Sequence, residues 1–243
     1  MAKQIVEMNV GKVTQEAGDT KTFLLRWPEG VDYDFKTGQF ITIYLPEDPK
    51  IKRAYSLSSC QYDRGCFEIS VKRAGHFGAL LNDVIKEGSK LMVIPPVGKF
   101  NLPEDPTNDV VMIAGGSGVT PFRSFIRHIN HDKLPTRAVL LYTVRNPLEI
   151  IFDEEFKQLA VANPNFEFKV TCTRVTAEHA YTGPVWPGHM GRINAEWIKE
   201  QIRDLTKTVF YACGPTDLVL ATEKLVVEDL GVPKAQMRLE KWG

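Results

Sequence analysis

The chain has 243 residues, enough for one large domain or two modest ones, and either buries a sizeable core. Its 43% hydrophobic and 25% charged residues are ordinary for a globular protein. Lysine plus arginine (30) equals aspartate plus glutamate (30), which excludes a bulk charge that would attract nucleic acid or an anionic membrane; any basic site is local.

The start, Met1 to Glu7, has no apolar signal core, and no later run approaches the roughly 20 apolar residues of a spanning helix. The expectation is a cytoplasmic protein without membrane insertion. Cys60, Cys66, Cys172 and Cys213 lack the C-x-x-C grouping of zinc or iron–sulfur ligands, and no histidine pair has ligand spacing, so no metal site is expected.

Strand signals fill the first hundred residues. Ile5 to Val13 and Thr22 to Arg26 alternate loosely around a Gly18-Asp19 turn. Phe40 to Leu45 is β-branched and aromatic, opened by Gly38 and closed by Pro46. Arg53 to Ser58, Cys66 to Lys72 and Lys90 to Ile94 follow, the last ending at Pro95-Pro96, with one short helix over Ala79 to Ile85. Short strands punctuated by glycine and proline predict a closed antiparallel six-stranded β-barrel.

Pro103 to Asp109 is polar, carries two prolines and reads as a domain boundary, dividing the chain into 1–105 and 106–243. Beyond it the period changes. Val110 to Ala114 is a continuous apolar run, the mark of a strand covered on both faces. Strands at Ala138 to Val144, Phe166 to Thr171, Thr208 to Cys213 and Met237 to Trp242 alternate with helices at Pro121 to His131, Asp153 to Val161, Ala195 to Ile202 and Thr216 to Leu230. That alternation predicts an α/β domain with a parallel sheet.

Arg53-Ala54-Tyr55-Ser56-Leu57-Ser58 places a cation, a flat ring and hydroxyls on one strand. It suits an anionic planar ligand, with arginine on phosphate, tyrosine over a ring face and serine at the ring's edge. An amphipathic edge strand with a solvated arginine is the plain alternative. Gly115-Gly116-Ser117-Gly118-Val119-Thr120-Pro121 falls where the first parallel strand ends and a helix begins. Glycines admit a phosphate close to the backbone, the helix start offers N–H donors, and Thr120 is the expected cap with Pro121 at the first position. The second strand ends at Thr143-Val144-Arg145-Asn146 without the acid that usually holds a ribose hydroxyl. Arg145, with Arg174 and Arg192, favours a 2′-phosphate, although each singly also reads as a solvated cation. Cys213-Gly214-Pro215 closes another strand, where a small polarisable side chain suits contact with a nicotinamide; no base beside it argues for a covalent nucleophile. A tryptophan at position 242 must pack on something, either core or bound ring. Short of acid–base residues and well supplied with phosphate and ring sites, the sequence points to cofactor-borne redox chemistry.

These motifs resemble those of the ferredoxin–NADP(+) reductase superfamily over nearly the whole chain. Arg53 to Ser56 is similar to its R-x-Y-S flavin motif, Gly98-Lys99-Phe100-Asn101-Leu102 to its G-x-F-x-L element, and Gly116 to Pro121 to its nicotinamide-nucleotide loop. Cys213-Gly214-Pro215 is similar to its C-G-P turn, and Glu240-Lys241-Trp242 to its terminal E-x-aromatic. The resemblance implies FAD held by Arg53, Ala54, Tyr55, Ser56, Val71, Lys72, Arg73, Gly75, Gly78 and Ala79. It implies NADP(H) or NAD(H) held by Gly116, Gly118, Thr120, Pro121, Arg145, Arg174, Arg192, Cys213, Gly214 and Trp242, with Ser56, Cys213 and Glu240 at the reacting centre. One position departs from the pattern: the second flavin motif, usually G-x-x-S, reads Gly75-His76-Phe77-Gly78, which loses a hydroxyl and keeps FMN open as the alternative flavin.

The implied activity is hydride transfer from NAD(P)H, NADPH favoured, to FAD, then single electrons to a separate acceptor such as ferredoxin, flavodoxin or an oxygenase component. The alternatives are an NADH-dependent reductase component of an oxygenase or electron-transfer complex, a free-flavin reductase, and a non-catalytic nucleotide-binding module.

Overall fold

A computed structural model describes residues 5–44, 50–175 and 188–242 of the chain. Leu45, Pro46 and Gly243, which the sequence reading places at a strand end and at the terminus, lie outside the described residues.

The N-terminal half is an antiparallel sheet of β1 (Val6–Gln15), β2 (Thr20–Arg26), β3 (Phe40–Tyr44), β4 (Lys52–Ser56), β5 (Cys66–Lys72) and β6 (Lys90–Val97), in the order β4-β3-β6-β1-β2-β5. Its two edges meet just past β4, where Leu57 bridges Ile69 and the Ser58 N–H donates to the Glu68 carbonyl at 2.8 Å, closing the barrel. Alternation along β5 sends Phe67, Ile69 and Val71 inward to pack with Phe23, Ile41 and Val93.

Two elements depart from the sequence reading. β6 runs through Pro95-Pro96 to Val97. Thr42 pairs with Ile94 and Phe40 with Val97, so the prolines fall in a bulge where no ladder N–H is needed. The helix α1 spans Gly75–Asp83, beginning before Ala79. Gly75 takes φ +60°, a turn that glycine adopts without strain, and Phe77, Leu80 and Leu81 then pack on the barrel interior. Two glycines in its first turn hide this helix from propensity.

The C-terminal half is a parallel sheet of β7 (Asp109–Gly115), β8 (Ala138–Val144), β9 (Phe166–Cys172), β10 (His189–Met190), β11 (Thr208–Pro215) and β12 (Met237–Trp242), in the order β10-β9-β8-β7-β11-β12. Both faces of β7 are buried. Val110, Met112 and Ala114 pack towards α2 (Thr120–His131) and α3 (Asp153–Ala162), while Val111 and Ile113 pack towards α4 (Ala195–Lys199) and α5 (Thr216–Glu223). β10 is too short, at 2 residues, to leave a periodic signal. α4 stops short of Ile202, and beyond α5 the chain widens into π-helical turns over Lys224–Asp229, with the Leu230 N–H on the Leu225 carbonyl at 3.1 Å. Strand order reverses at β7, with β8 on one side and β11 on the other, which opens a crevice at the carboxyl ends of β7 and β11.

α2 clasps the two halves together. Arg123 bonds Glu68 of β5 at 2.6 Å and Glu155 of α3 at 2.7 Å, and its guanidinium lies 4.6 Å from the Phe152 ring centre. Ser124 Oγ donates to the Ser59 carbonyl at 2.8 Å, and Arg127 pairs with Asp63 at 2.8 Å. No helix among the described residues is long and apolar enough to cross a membrane.

Candidate active site

Where the halves meet, a cleft of about 440 Å³ is lined by Arg53, Ala54, Tyr55, Ser56, Ser70, Lys72, Ala74, Gly75, Gly78, Ser117, Thr120 and Trp242. Nine of these come from the sequence reading; Ser70 and Ala74 carry no motif, and Ser117 lies within the glycine turn but is not among the predicted site residues. A larger cavity of about 590 Å³, bordered by Lys36, Lys99 and Arg238, contains none of the predicted site residues.

β4 forms one wall. Tyr55 stands 6.0 Å from the Phe77 ring, tilted by 42°, so α1 props it from behind, and burial pushes its phenol well above the usual range. Arg53 is exposed at the cleft's end, its Nη1 donating to the Lys52 carbonyl at 2.9 Å. Lys72 also lines the cleft, 3.6 Å from Asp19 and 3.5 Å from Glu149. The start of α1 completes this end: its first turn holds no acid and Ala74 provides no side-chain cap, leaving N–H donors for an anion.

Other predicted flavin residues sit elsewhere. Val71 is 2% exposed, its side chain inside the barrel, and Ala79 is half-buried on α1. Arg73 is taken up by Asp83, its Nε 2.9 Å from Oδ1, which ties the two ends of α1. A Cβ on Gly78 would stand 2.5 Å from the Lys72 carbonyl oxygen. The missing serine therefore has a steric cause: α1 lies too close to the end of β5 for any side chain. A cationic end, a helix start, a ring face and a hydroxyl edge together fit a flavin nucleotide.

Opposite β4, the crevice between β7 and β11 brings in the second set. Gly116, at φ +52°, begins a 3₁₀ turn over Gly116–Val119 that runs directly into α2. Thr120 is accordingly not the helix cap: its hydroxyl donates to the Ser117 carbonyl at 2.7 Å, and Pro121 sits buried in the first turn. A Cβ on Gly118 would collide with the Cys213 carbonyl, so the glycine turn lies flat on Cys213 and Gly214. Tyr142, which sequence reasoning passes over as a core residue of β8, steadies the turn by donating to the Gly116 carbonyl at 2.9 Å.

Ser56, Cys213 and Glu240 come together from β4, β11 and β12. Ser56 Oγ donates to Glu240 Oε2 at 2.8 Å, and Cys213 Sγ lies 3.8 Å from the same oxygen. Burial, then the neighbouring carboxylate, raises the Cys213 thiol well above its ordinary range, so it is a neutral thiol and no nucleophile. Burial raises the Glu240 carboxyl despite hydrogen bonds from Ser56 and Cys213 that pull it down. A carboxyl with a raised folded-state pKa favours folding below its ordinary value of 4.5, and that contribution is lost as pH rises through the folded value. Glu240→Gln, which cannot ionise, is therefore expected to gain thermal stability relative to the parent as pH goes from 4.5 towards 8; parallel melting curves over that range would count against it.

Trp242, 39% exposed, borders the cleft, and its carbonyl accepts from Thr216 Oγ1 at 3.2 Å. Arg145, Arg174 and Arg192 are exposed beyond the ends of β8, β9 and β10, and the Arg174 N–H donates to the Arg145 carbonyl at 2.7 Å. The second strand is not without an acid nearby. Pro147–Glu149 turns back so that Glu149 meets Arg145 at 2.8 Å (Oε1 to Nη2) and 3.1 Å (Oε2 to Nε). The sequence signal for this is the Asn146-Pro147 turn, in which Asn146 Oδ1 accepts from the Leu148 N–H at 3.0 Å. Among the described residues no group of histidine, cysteine, aspartate or glutamate is placed to hold a metal.

Comparison with known proteins matches residues 7–102 to an oxidoreductase FAD-binding domain and residues 112–224 to an oxidoreductase NAD-binding domain. The glycine betaine monooxygenase reductase subunit of Pseudomonas aeruginosa is 32% identical over 218 residues, 88% of this chain and 58% of that protein. The propane 2-monooxygenase reductase component of Mycolicibacterium smegmatis is 28% identical, covering 96% of this chain and 66% of its own length. The chain thus spans about three fifths of the length of the first of these relatives. The FAD/NAD-binding domain of nitric oxide dioxygenase from Vibrio cholerae shares the fold, with a TM-score of 0.83 at 24% identity over 98% of both chains.

Proposed function

This chain belongs to the ferredoxin–NADP(+) reductase superfamily, with an FAD-binding and an NAD-binding domain in series, and from that premise we propose that it takes hydride from NAD(P)H onto bound FAD and passes electrons singly to an acceptor. The observation that carries this reading is the 2.8 Å contact between Ser56, which lines the cleft, and Glu240, which comes from the opposite domain. FAD, when bound, supplies acceptance of a hydride and release of single electrons. The chain's share is position. Arg53, Lys72 and the start of α1 would hold phosphate, Tyr55 would cover the ring, and Ser56 would meet its edge. The glycine turn and Cys213 would seat the nicotinamide, and Trp242, if it covers the flavin face, would have to move aside for it. The working units are residues 1–105 and 106–243. Similarity to reductase components of monooxygenases favours an oxygenase component or its ferredoxin as the acceptor.

Anaerobic titration of the purified protein with NADH and with NADPH tests the reading: flavin absorbance bleaches, and a colourless preparation that fails to take up FAD overturns it. Gly78 offers a second check. Gly78→Ser restores the hydroxyl of the common motif, yet its Cβ would press on the Lys72 carbonyl at 2.5 Å. The expected result is weaker FAD retention and a stability loss of about 1–3 kcal/mol, seen by flavin release on dilution and by melting. Tighter retention would show that the missing hydroxyl, not backbone contact, governs this position.

A further inference from the structure

We propose that Glu149 selects the coenzyme at this site, favouring NAD(H) over NADP(H). The inference rests on the cleft taking a nicotinamide nucleotide and names which one.

The end of the second parallel strand is where a dinucleotide fold meets the ribose of the adenosine half, and an acid there accepts the 2′-hydroxyl. Arg145 sits at that strand end, the residue expected to grip a 2′-phosphate. Its guanidinium is already engaged. Glu149 takes Nε at 3.1 Å and Nη2 at 2.8 Å, which is the forked edge a phosphate would use.

Which partner is the fixed one follows from exposure. The Arg145 side chain is 54% exposed, and that of Glu149 only 18%. Glu149 is further held by Asn146 Nδ2 at 3.2 Å and by Lys72 Nζ at 3.5 Å. The carboxylate is therefore built in, and the guanidinium comes to it. A 2′-phosphate arriving at Arg145 must displace Glu149 from the fork and then sit beside its negative charge. A ribose diol meets neither obstacle, and a carboxylate oxygen is an acceptor for it. Arg174 and Arg192 remain at neighbouring strand ends, so the arginines alone do not decide the preference that the sequence assigned to them.

The test uses FAD-loaded protein and two nucleotides that differ only by the 2′-phosphate, adenosine 5′-monophosphate and adenosine 2′,5′-bisphosphate, with binding followed calorimetrically. In the parent the bisphosphate gains less than tenfold over the monophosphate. Glu149→Gln is expected to strengthen the bisphosphate about tenfold relative to the monophosphate, equivalent to about 1.4 kcal/mol, and to raise the NADPH-to-NADH ratio of kcat/KM in the same direction. Arg145→Ala in the parent background costs the bisphosphate less than twofold, because the fork is committed; added to Glu149→Gln it abolishes the gain. Unchanged discrimination in Glu149→Gln, or a tenfold loss in Arg145→Ala alone, overturns the selection proposal and leaves the reductase reading standing. If neither nucleotide binds the parent, the reductase reading itself falls and this inference with it.

Discussion

Ser56→Ala is expected to slow reduction of the bound flavin by NADH or NADPH roughly 100-fold while leaving FAD affinity within about twofold, since a preorganised polar contact at a reacting centre is worth that much and a phosphate grip elsewhere is untouched. The reason lies in the hydrogen-bond direction. The hydroxyl proton of Ser56 is committed to Glu240 Oε2 at 2.8 Å, so the oxygen it presents to the cleft is an acceptor. In the proposed role, that oxygen would accept a hydrogen bond from the reduced ring of a bound flavin and so would favour the reduced state. Glu240→Gln keeps an oxygen for Ser56 to donate to and is expected to lose less than tenfold; Glu240→Ala frees the hydroxyl to turn and is expected to approach Ser56→Ala. Rapid-mixing measurement of flavin bleaching separates these outcomes. A Ser56→Ala variant that loses FAD instead of rate would move the serine's role from the reacting centre to cofactor retention.

How much of this was legible in the sequence depends on the range of the signal. Arg53, Tyr55 and Ser56 share one strand, and the glycine turn shares one strand–helix junction, so both motifs are visible in a short window. The barrel and the parallel sheet follow from a change of hydrophobic period at the boundary near Pro103 to Asp109, and both are present. What escaped needs contacts between distant residues. Tyr142 reads as core until its hydroxyl is found on the Gly116 carbonyl. Glu149 lies beyond the strand end, and only the Pro147–Glu149 turn folds it back onto Arg145. Arg73 has the right type and neighbourhood for phosphate, yet Asp83 at the far end of α1 takes it up. The start of α1 is hidden for the opposite reason: local propensity counts its glycines against a helix that packing of Phe77 and Leu81 on the barrel supports.

Arg123→Ala should destabilise the protein by up to about 3 kcal/mol, as expected for removing one member of a partly buried charge cluster. In a chain of this size that is roughly a 10 °C fall in melting temperature. The side chain is 12% exposed and holds Glu68 at 2.6 Å and Glu155 at 2.7 Å. Burial pulls its pKa down, but the two carboxylates outweigh burial and leave it raised. Without it, Glu68 and Glu155 keep only Arg127, at 3.4 Å and 3.9 Å, with Glu16, itself pushed up by burial, in the same field. Arg123 holds the Glu16 carboxyl down in the parent, so its loss lets Glu16 take a proton more readily, and the deficit of the variant is expected to shrink between pH 8 and pH 5; a constant deficit would assign the loss to packing on Phe152. The clasp joins β5 of the barrel to α2 and α3 of the parallel-sheet half, and the same relative placement of the halves sets Ser56 against Glu240. Arg123→Ala is therefore also expected to slow flavin reduction at temperatures where it remains folded. A variant that is less stable but fully active would show that the Ser56–Glu240 contact is held by the crevice itself, independently of the clasp.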